Sequence, residues 1–232
     1  MCVTGIFITG TDTDAGKTVI AAALIHCMAQ TGKRVVGMKP VASGAVQTNN
    51  GLNSTDLELL QSQSNVNFPL ALICPYMFQA PVSPNIAAAQ TGVTISLNKI
   101  SECYQQVASS CDYVVVEGVG GWKAPLNHEQ DVSDLVRHLN LPVILVVGLR
   151  LGCINHALLS LQSIRASQVP IIGWVANVLE PDMHSANEVM TTLCDRLSLP
   201  LIGHIPYFSQ LSIEKIAALL NLDPILNPAP SK

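Results

Sequence analysis

A glycine-rich run, Gly10-Thr11-Asp12-Thr13-Asp14-Ala15-Gly16-Lys17-Thr18, follows directly on an apolar stretch at residues 5–9 and leads straight into an alanine-rich segment. No other feature of the chain constrains its fold as tightly. A bound phosphate needs many N–H donors in a concave loop, a helix N-terminus, a lysine and a hydroxyl for a metal. A strand–loop–helix carrying Gly-Lys-Thr supplies all four. Read this way, Lys17 reaches the β- and γ-phosphates and Thr18 ligates Mg2+. The usual spacing places four residues between the first glycine and Gly-Lys-Thr, whereas five stand here, Thr11 to Ala15. A coincidental glycine turn with a helix cap is the competing explanation, and the flanking strand and helix argue against it.

The rest of the chain repeats that strand-then-helix order. Short β-branched runs at 5–9, 34–39, 113–117, 142–147, 171–177 and 201–205 are apolar without alternation, as strands buried on both faces are. Helical stretches fall at 17–30, 55–63, 97–109, 131–139, 154–167, 183–197 and 211–219. The order predicts right-handed crossovers and an α/β fold, a P-loop NTPase-like doubly wound, mainly parallel sheet with helices on both faces. Ligands in such a sheet bind at the carboxyl ends of the strands. Residues 1–222 are expected to form a single P-loop domain. The proline-rich stretch 223–232 is expected to be a loosely ordered tail.

Composition narrows the function classes. A net charge of −4 implies no general attraction to nucleic acid or anionic membrane. The longest apolar runs, such as 141–149, fall far below the roughly 20 residues of a membrane span. The beginning lacks a signal-peptide pattern, and seven scattered cysteines without a Cys-x-x-Cys pair read as reduced small hydrophobes; the expected compartment is cytoplasmic. Apolar residues make up 49% and charged residues 12%, which suggests either a thick central sheet or a subunit interface, with a twofold homodimer the favoured assembly.

Two acids are candidate metal ligands. Val114-Val115-Val116-Glu117-Gly118-Val119-Gly120-Gly121 is a buried strand ending in a carboxylate and a glycine turn, the place where a second-strand acid of a P-loop ATPase meets Mg2+. Taken alone, it reads equally well as a strand end. Asp56 opens a helix at which Thr55 and Glu58 are expected to form a capping box, and by itself reads as a helix-dipole residue.

The loop Gly10 to Thr18, the run Lys39-Pro40-Val41-Ala42-Ser43-Gly44, the strand ending Glu117-Gly118-Val119-Gly120-Gly121-Trp122, and Leu151-Gly152-Cys153-Ile154-Asn155-His156 together resemble the dethiobiotin synthetase family. Gly173-Trp174-Val175-Ala176-Asn177 and Gly203-His204-Ile205-Pro206 extend the resemblance from Thr9 to about Phe208. It implies an ATP-dependent ring-closing ligase that makes dethiobiotin from 7,8-diaminononanoate and CO2 through a carbamate, releasing ADP and phosphate. It also implies a homodimer with substrate at the subunit interface. The implied nucleotide contacts are Thr13, Asp14, Ala15, Gly16, Lys17, Thr18, Val19, Asp56, Glu117, Gly118, Val119 and Gly120, with Asn177, Val178, Pro206, Tyr207 and Phe208 framing the adenine. Thr18, Asp56 and Glu117 would surround Mg2+. Lys39 would be catalytic and substrate-binding, stabilising the carbamate and the phosphoryl group moving onto it, and Ser43 would help bind the diamine or carbamate end. Gly152, Cys153 and Asn155 would hold the substrate carboxylate from the partner subunit; Asn155 by itself reads as an ordinary helix cap.

The departures are specific. Asp14 stands where family members often carry Glu, Val189 where a tyrosine helps hold the substrate carboxylate, and His204 where an acid lies near the adenine segment. His26, His128, His138 and His184 show no ligand spacing. A nucleotide switch of the partition or site-selection ATPase kind would carry a signature lysine near the start of the loop, and Thr11-Asp12-Thr13 has none. A related amidotransferase or acyl-chain ligase would need an additional domain.

Overall fold

The structure, a computed structural model, describes residues 5–49 and 51–226. Its elements run β1 (Gly5–Gly10), α1 (Lys17–Gln30), β2 (Val35–Met38), β3 (Val41–Ser43), β4 (Val46–Thr48), β5 (Gly51–Asn53) and α2 (Thr55–Gln63). There follow α3 (Leu70–Ile73), β6 (Tyr76–Phe78), α4 (Pro84–Gln90), α5 (Leu97–Ala108), β7 (Tyr113–Glu117), α6 (Val132–Leu139) and β8 (Val143–Leu149). The chain continues through α7 (Cys153–Ala166), β9 (Ile171–Val178), α8 (Ala186–Leu197), β10 (Leu201–Ile205), α9 (Ile213–Ala217) and α10 (Asp223–Leu226).

Six strands pair in parallel in the order β10-β9-β8-β1-β7-β2. Every position of β1 and β8 is buried, which explains the absence of alternation in their sequences. Successive strand residues still divide between two cores. Ile6, Ile8, Val115, Ile144 and Val175 pack with α1, α9 and Ile225 of α10. Phe7, Val114, Val116, Leu145 and Trp174 pack on the other face with α5, α6, α7 and α8. Helices therefore cover both faces, as a doubly wound sheet requires. No helix among the described residues is long and apolar enough to cross a membrane.

The register sets where chemistry can occur. Ile8 lies opposite Glu117, and Met38 lies opposite Val116. The carboxyl ends of β1, β7 and β2 therefore lie within a few residues of one another on the same edge, and the loops leaving them start side by side.

Several local expectations change. Ser54, not Thr55, is the residue before α2, and no side chain caps that helix. Glu58 accepts a hydrogen bond from Asn53 instead of closing a capping box. A reciprocal box does form at α6, between Asp131 and Asp134. Helix α8 starts at Ala186 rather than 183, because Ser185 takes a left-handed φ of 54° that a continuing helix does not accommodate. Helix α9 is shorter than 211–219, its first turn opened by Ser212 accepting from the Lys215 amide at 3.4 Å. The stretch expected to be loose is ordered through Leu226, since burying Ile225 anchors α10; residues 227–232 lie outside the described residues. The small parallel pair β3–β6 and the hairpin β4–β5 have three-residue strands too short to show a period.

Candidate active site

The loop between β1 and α1 wraps the sheet's carboxyl edge. Gly16 takes φ 94°, and a Cβ built there would stand 2.1 Å from Nδ2 of Asn177, so only glycine serves. Asp14 also adopts a left-handed conformation, φ 59°, which aspartate tolerates better than most residues. Lys17 enters as the first helical residue, is buried, and donates from Nζ to the Asp12 carbonyl at 2.7 Å. Thr18 donates from Oγ1 to Glu117 Oε1 at 2.7 Å.

Lys39 follows β2 and is 5% exposed. Its Nζ donates to Asp56 Oδ2 at 2.5 Å and to Glu117 Oε1 at 2.7 Å. Glu117 is 1% exposed, and its Oε2 has no hydrogen-bond partner among the described residues. Burying an unpaired carboxylate is expensive, so the Lys39 ammonium is what makes Glu117 tenable in the interior. Asp56 occupies the first turn of α2, where it also complements the helix dipole.

The two lysines are tuned oppositely. Burial pulls the Lys17 ammonium below the usual lysine range, partly opposed by the Glu117 charge. Burial also pulls on Lys39, but the charges and hydrogen bonds of Glu117 and Asp56 outweigh it and hold Lys39 above its ordinary value. Cys74 senses the Lys39 charge, yet burial pushes its thiol up to about 12, so it is not a nucleophile at neutral pH.

These side chains line one cleft of about 750 Å3. Thr13, Asp14, Gly16, Lys17, Thr18 and Val19 contribute from the first loop, and Glu117, Gly118, Val119 and Gly120 from the loop after β7. Lys39, Ser43 and Asp56 complete the residues expected there. Ser43 Oγ is buried and has no hydrogen-bond partner among the described residues, so it is a polar atom disposed for a ligand. Ala15 is fully buried behind the loop, its carbonyl accepting from Asn177 Nδ2 at 3.0 Å. The opposite wall, Pro81, Val82, Ser83 and Pro84, was not anticipated. Its two prolines signal a turn, but nothing in the local sequence says which loop that turn faces.

Thr18, Asp56 and Glu117 form a hard-oxygen set. No cluster of three or more His, Cys, Asp or Glu able to hold a metal occurs among the described residues. Two carboxylates and a hydroxyl fit Mg2+, which takes one or two carboxylates and completes its shell with phosphate and water oxygens. The unpartnered Glu117 Oε2 fits the same group.

The remaining expected residues lie away from this cleft within the single chain. Asn177 is buried at the end of β9 and buttresses the loop backbone. Val178 packs on one core, Phe208 on the other, and Tyr207 is exposed. Pro206 follows β10 and is exposed. Gly152, φ 91°, is the residue before α7, so Asn155 is the third helical residue and not its cap. Cys153 is buried, with its amide donating to the Arg150 carbonyl at 3.0 Å. Leu151 beside them is wholly exposed. Val189 sits on α8, partly buried against the core. His204 is exposed on β10, and His26 bonds Gln63 at 2.9 Å.

A protein-family model described as an AAA domain matches residues 4–215. The chain is 45% identical over 218 residues to the ATP-dependent dethiobiotin synthetase BioD of Nitrosospira multiformis, covering 94% of this chain and 95% of that one. It is 47% identical to its namesake in Xanthomonas oryzae over 201 residues, 87% and 90% of the two chains. For that of Cellvibrio japonicus the figures are 41% over 221 residues, 95% and 97%. Among solved structures, the MinC:MinD cell division complex of Aquifex aeolicus aligns with TM-score 0.55 at 18% identity, covering 92% of this chain and 86% of that one. A ParA family ATPase from Chlorobium tepidum aligns with TM-score 0.53 at 18% identity, covering 90% and 86%. Those likenesses establish the fold alone.

Proposed function

The chain belongs to the dethiobiotin synthetase family, ATP-dependent ring-closing ligases of biotin biosynthesis, and from that premise we propose how its residues join 7,8-diaminononanoate, CO2 and ATP. One amine of the diamine adds to CO2, losing a proton, and gives a carbamate. A carbamate oxygen takes the γ-phosphoryl group of ATP and ADP leaves. The second amine then attacks the activated carbonyl carbon and expels phosphate, closing the ureido ring.

The protein's part is positioning and charge, because a carbamate is a weak nucleophile and the phosphoryl group is heavily anionic. Lys17 and the loop amides hold the β- and γ-phosphates. Lys39 lies within one cleft with Lys17 and Ser43, and its raised pKa keeps it cationic where the carbamate and the phosphoryl group meet. Ser43 Oγ supplies a hydrogen bond to the diamine or carbamate end. Thr18, Asp56 and Glu117 would hold Mg2+, which supplies charge neutralisation of the triphosphate when bound. Asn177 and the segment Pro206 to Phe208 would frame the adenine, and Gly152, Cys153 and Asn155 would hold the substrate carboxylate of a second protomer. Leu151, wholly exposed beside Gly152, supports placing a homodimer contact there.

The observation that carries this reading is the convergence of Lys17, Thr18, Lys39, Ser43, Asp56 and Glu117 on one cleft. The test incubates the protein with ATP, Mg2+, bicarbonate and 7,8-diaminononanoate and follows dethiobiotin by mass spectrometry. Product that requires all four components is the expected result. ATP turnover indifferent to the diamine would replace this reading with a nucleotide switch.

A further inference from the structure

A loop built to hold polyphosphate carries two acids here, Asp12 and Asp14, and the structure treats them differently. Asp14 lines the cleft, whereas Asp12 does not. Asp12 pairs its carboxylate with the residue that follows β8: Arg150 Nη2 donates to its Oδ2. The pairing follows from topology. Gly10 at the end of β1 lies opposite Val146 of the neighbouring β8, and the Thr11 amide donates to the Val146 carbonyl at 3.0 Å. The two loops therefore leave the sheet side by side. Meanwhile the Asp12 carbonyl accepts from Lys17 Nζ, so one residue touches the phosphate lysine with its backbone and the arginine with its side chain.

A carboxylate in such a loop works against its ligand. Like charges roughly 8 Å apart at an effective dielectric of about 20 weaken binding on the order of tenfold after partial screening. We propose that Arg150 is a positioning residue for the nucleotide: by pairing with the Asp12 carboxylate it neutralises one of the loop's two acids, so that a phosphate loop with an additional residue presents less negative charge to a polyphosphate. This rests on the reading of the loop as the ATP site, and it assigns to Arg150 no contact with substrate.

Titration calorimetry of ADP with Mg2+ against the full chain tests it, with thermal melts confirming that each variant is folded. Arg150→Ala is expected to weaken ADP about tenfold and to raise the KM for ATP in proportion, leaving kcat and the KM for the diamine unchanged. Adding salt should narrow the deficit. Asp12→Asn in the Arg150→Ala background should restore ADP affinity to within about twofold of the parent, and Arg150→Lys should stay near the parent. A double variant as weak as Arg150→Ala would show that the arginine acts through packing and overturn the proposal; undiminished ADP binding by Arg150→Ala would do the same. If Arg150→Ala does not fold, Asp12→Asn alone decides, binding ADP at least as tightly as the parent if the proposal holds and more weakly if it fails. A parent protein that binds ADP yet makes no dethiobiotin would sink the functional reading and leave this one standing.

Discussion

The carboxyl edge of the sheet is finished differently in its two halves. Over β2, β7 and β1, the expected residues meet one another: Lys39 bridges Asp56 and Glu117, Thr18 bonds Glu117, and all four line one cleft. Over β8, β9 and β10, the expected residues stay apart. Asn177 braces a loop from behind, Tyr207 is exposed, and Gly152 and Asn155 stand at a helix start beside a fully exposed Leu151. The first half contains charges that demand internal partners, so one chain must complete it. The second presents backbone and apolar surface that a single chain leaves open. Under the proposed function, phosphoryl chemistry would be assembled within a protomer, and recognition of the substrate tail would fall to the face that a second protomer would cover.

The largest effect belongs to the finished half. Lys17→Ala should lower ATP-dependent turnover by roughly 10^2-fold to 10^3-fold or more, read as ADP release, because it deletes the buried cation proposed to hold the phosphates. Turnover within tenfold of the parent would break the comparison at its strongest point.

Lys39→Ala should lower kcat by about 10^2-fold with the KM for ATP within about threefold. It should also destabilise the protein without ligands by about 3–5 kcal/mol in chemical denaturation, since buried Glu117 loses its counter-charge. Mg2+ with ADP should recover part of that loss. Equal destabilisation with and without Mg2+ would argue against Glu117 as a metal ligand.

Across the edge, Asn155→Ala should raise the KM for the diamine by roughly tenfold, the scale of one hydrogen bond to a charged group, and leave the KM for ATP alone. Leu151→Asp should shift sedimentation toward monomer and raise the same KM. Observing neither change would leave the open half without a role.

The smallest effect lies between the halves, at α6. Burial pushes the Asp131 carboxyl upward, yet hydrogen bonds from Ser133, Lys123 and the Asp134 amide bring it below its ordinary 3.8. Its contribution is therefore present above about pH 3.8 and lost as pH falls through the lower folded value. Asp131→Ala should cost about 1 kcal/mol near neutral pH without altering kcat, and the gap from the parent should close in acid melts.

Much of the fold was legible in the chain. Helix boundaries at Lys17–Gln30 and Thr55–Gln63 and the strands Tyr113–Glu117 and Leu201–Ile205 fall where periodicity and β-branching put them. The six-strand sheet is the doubly wound, mainly parallel one that the strand–helix alternation implies. The misses are short or context-dependent. Three-residue strands such as β3 and β6 carry no period, and Ser54 displaces Thr55 before α2 because backbone geometry, not composition, decides the cap. The wall from Pro81 to Pro84 is a turn in sequence and a cleft lining only in space.

The sequence by itself determined the chemistry of the nucleotide loop. A glycine run, a lysine and a threonine act through backbone amides and neighbouring residues, so their meaning is local. Tertiary structure alone decided that Lys39, Asp56 and Glu117 share a charge network, that Ser43 Oγ has no hydrogen-bond partner among the described residues, and that Arg150 pairs with Asp12. Those pairings join residues 17 to 138 positions apart. Coulombic and hydrogen-bond energies depend on distance through space and on burial, and neither is set until the parallel strands have brought their carboxyl ends to one edge.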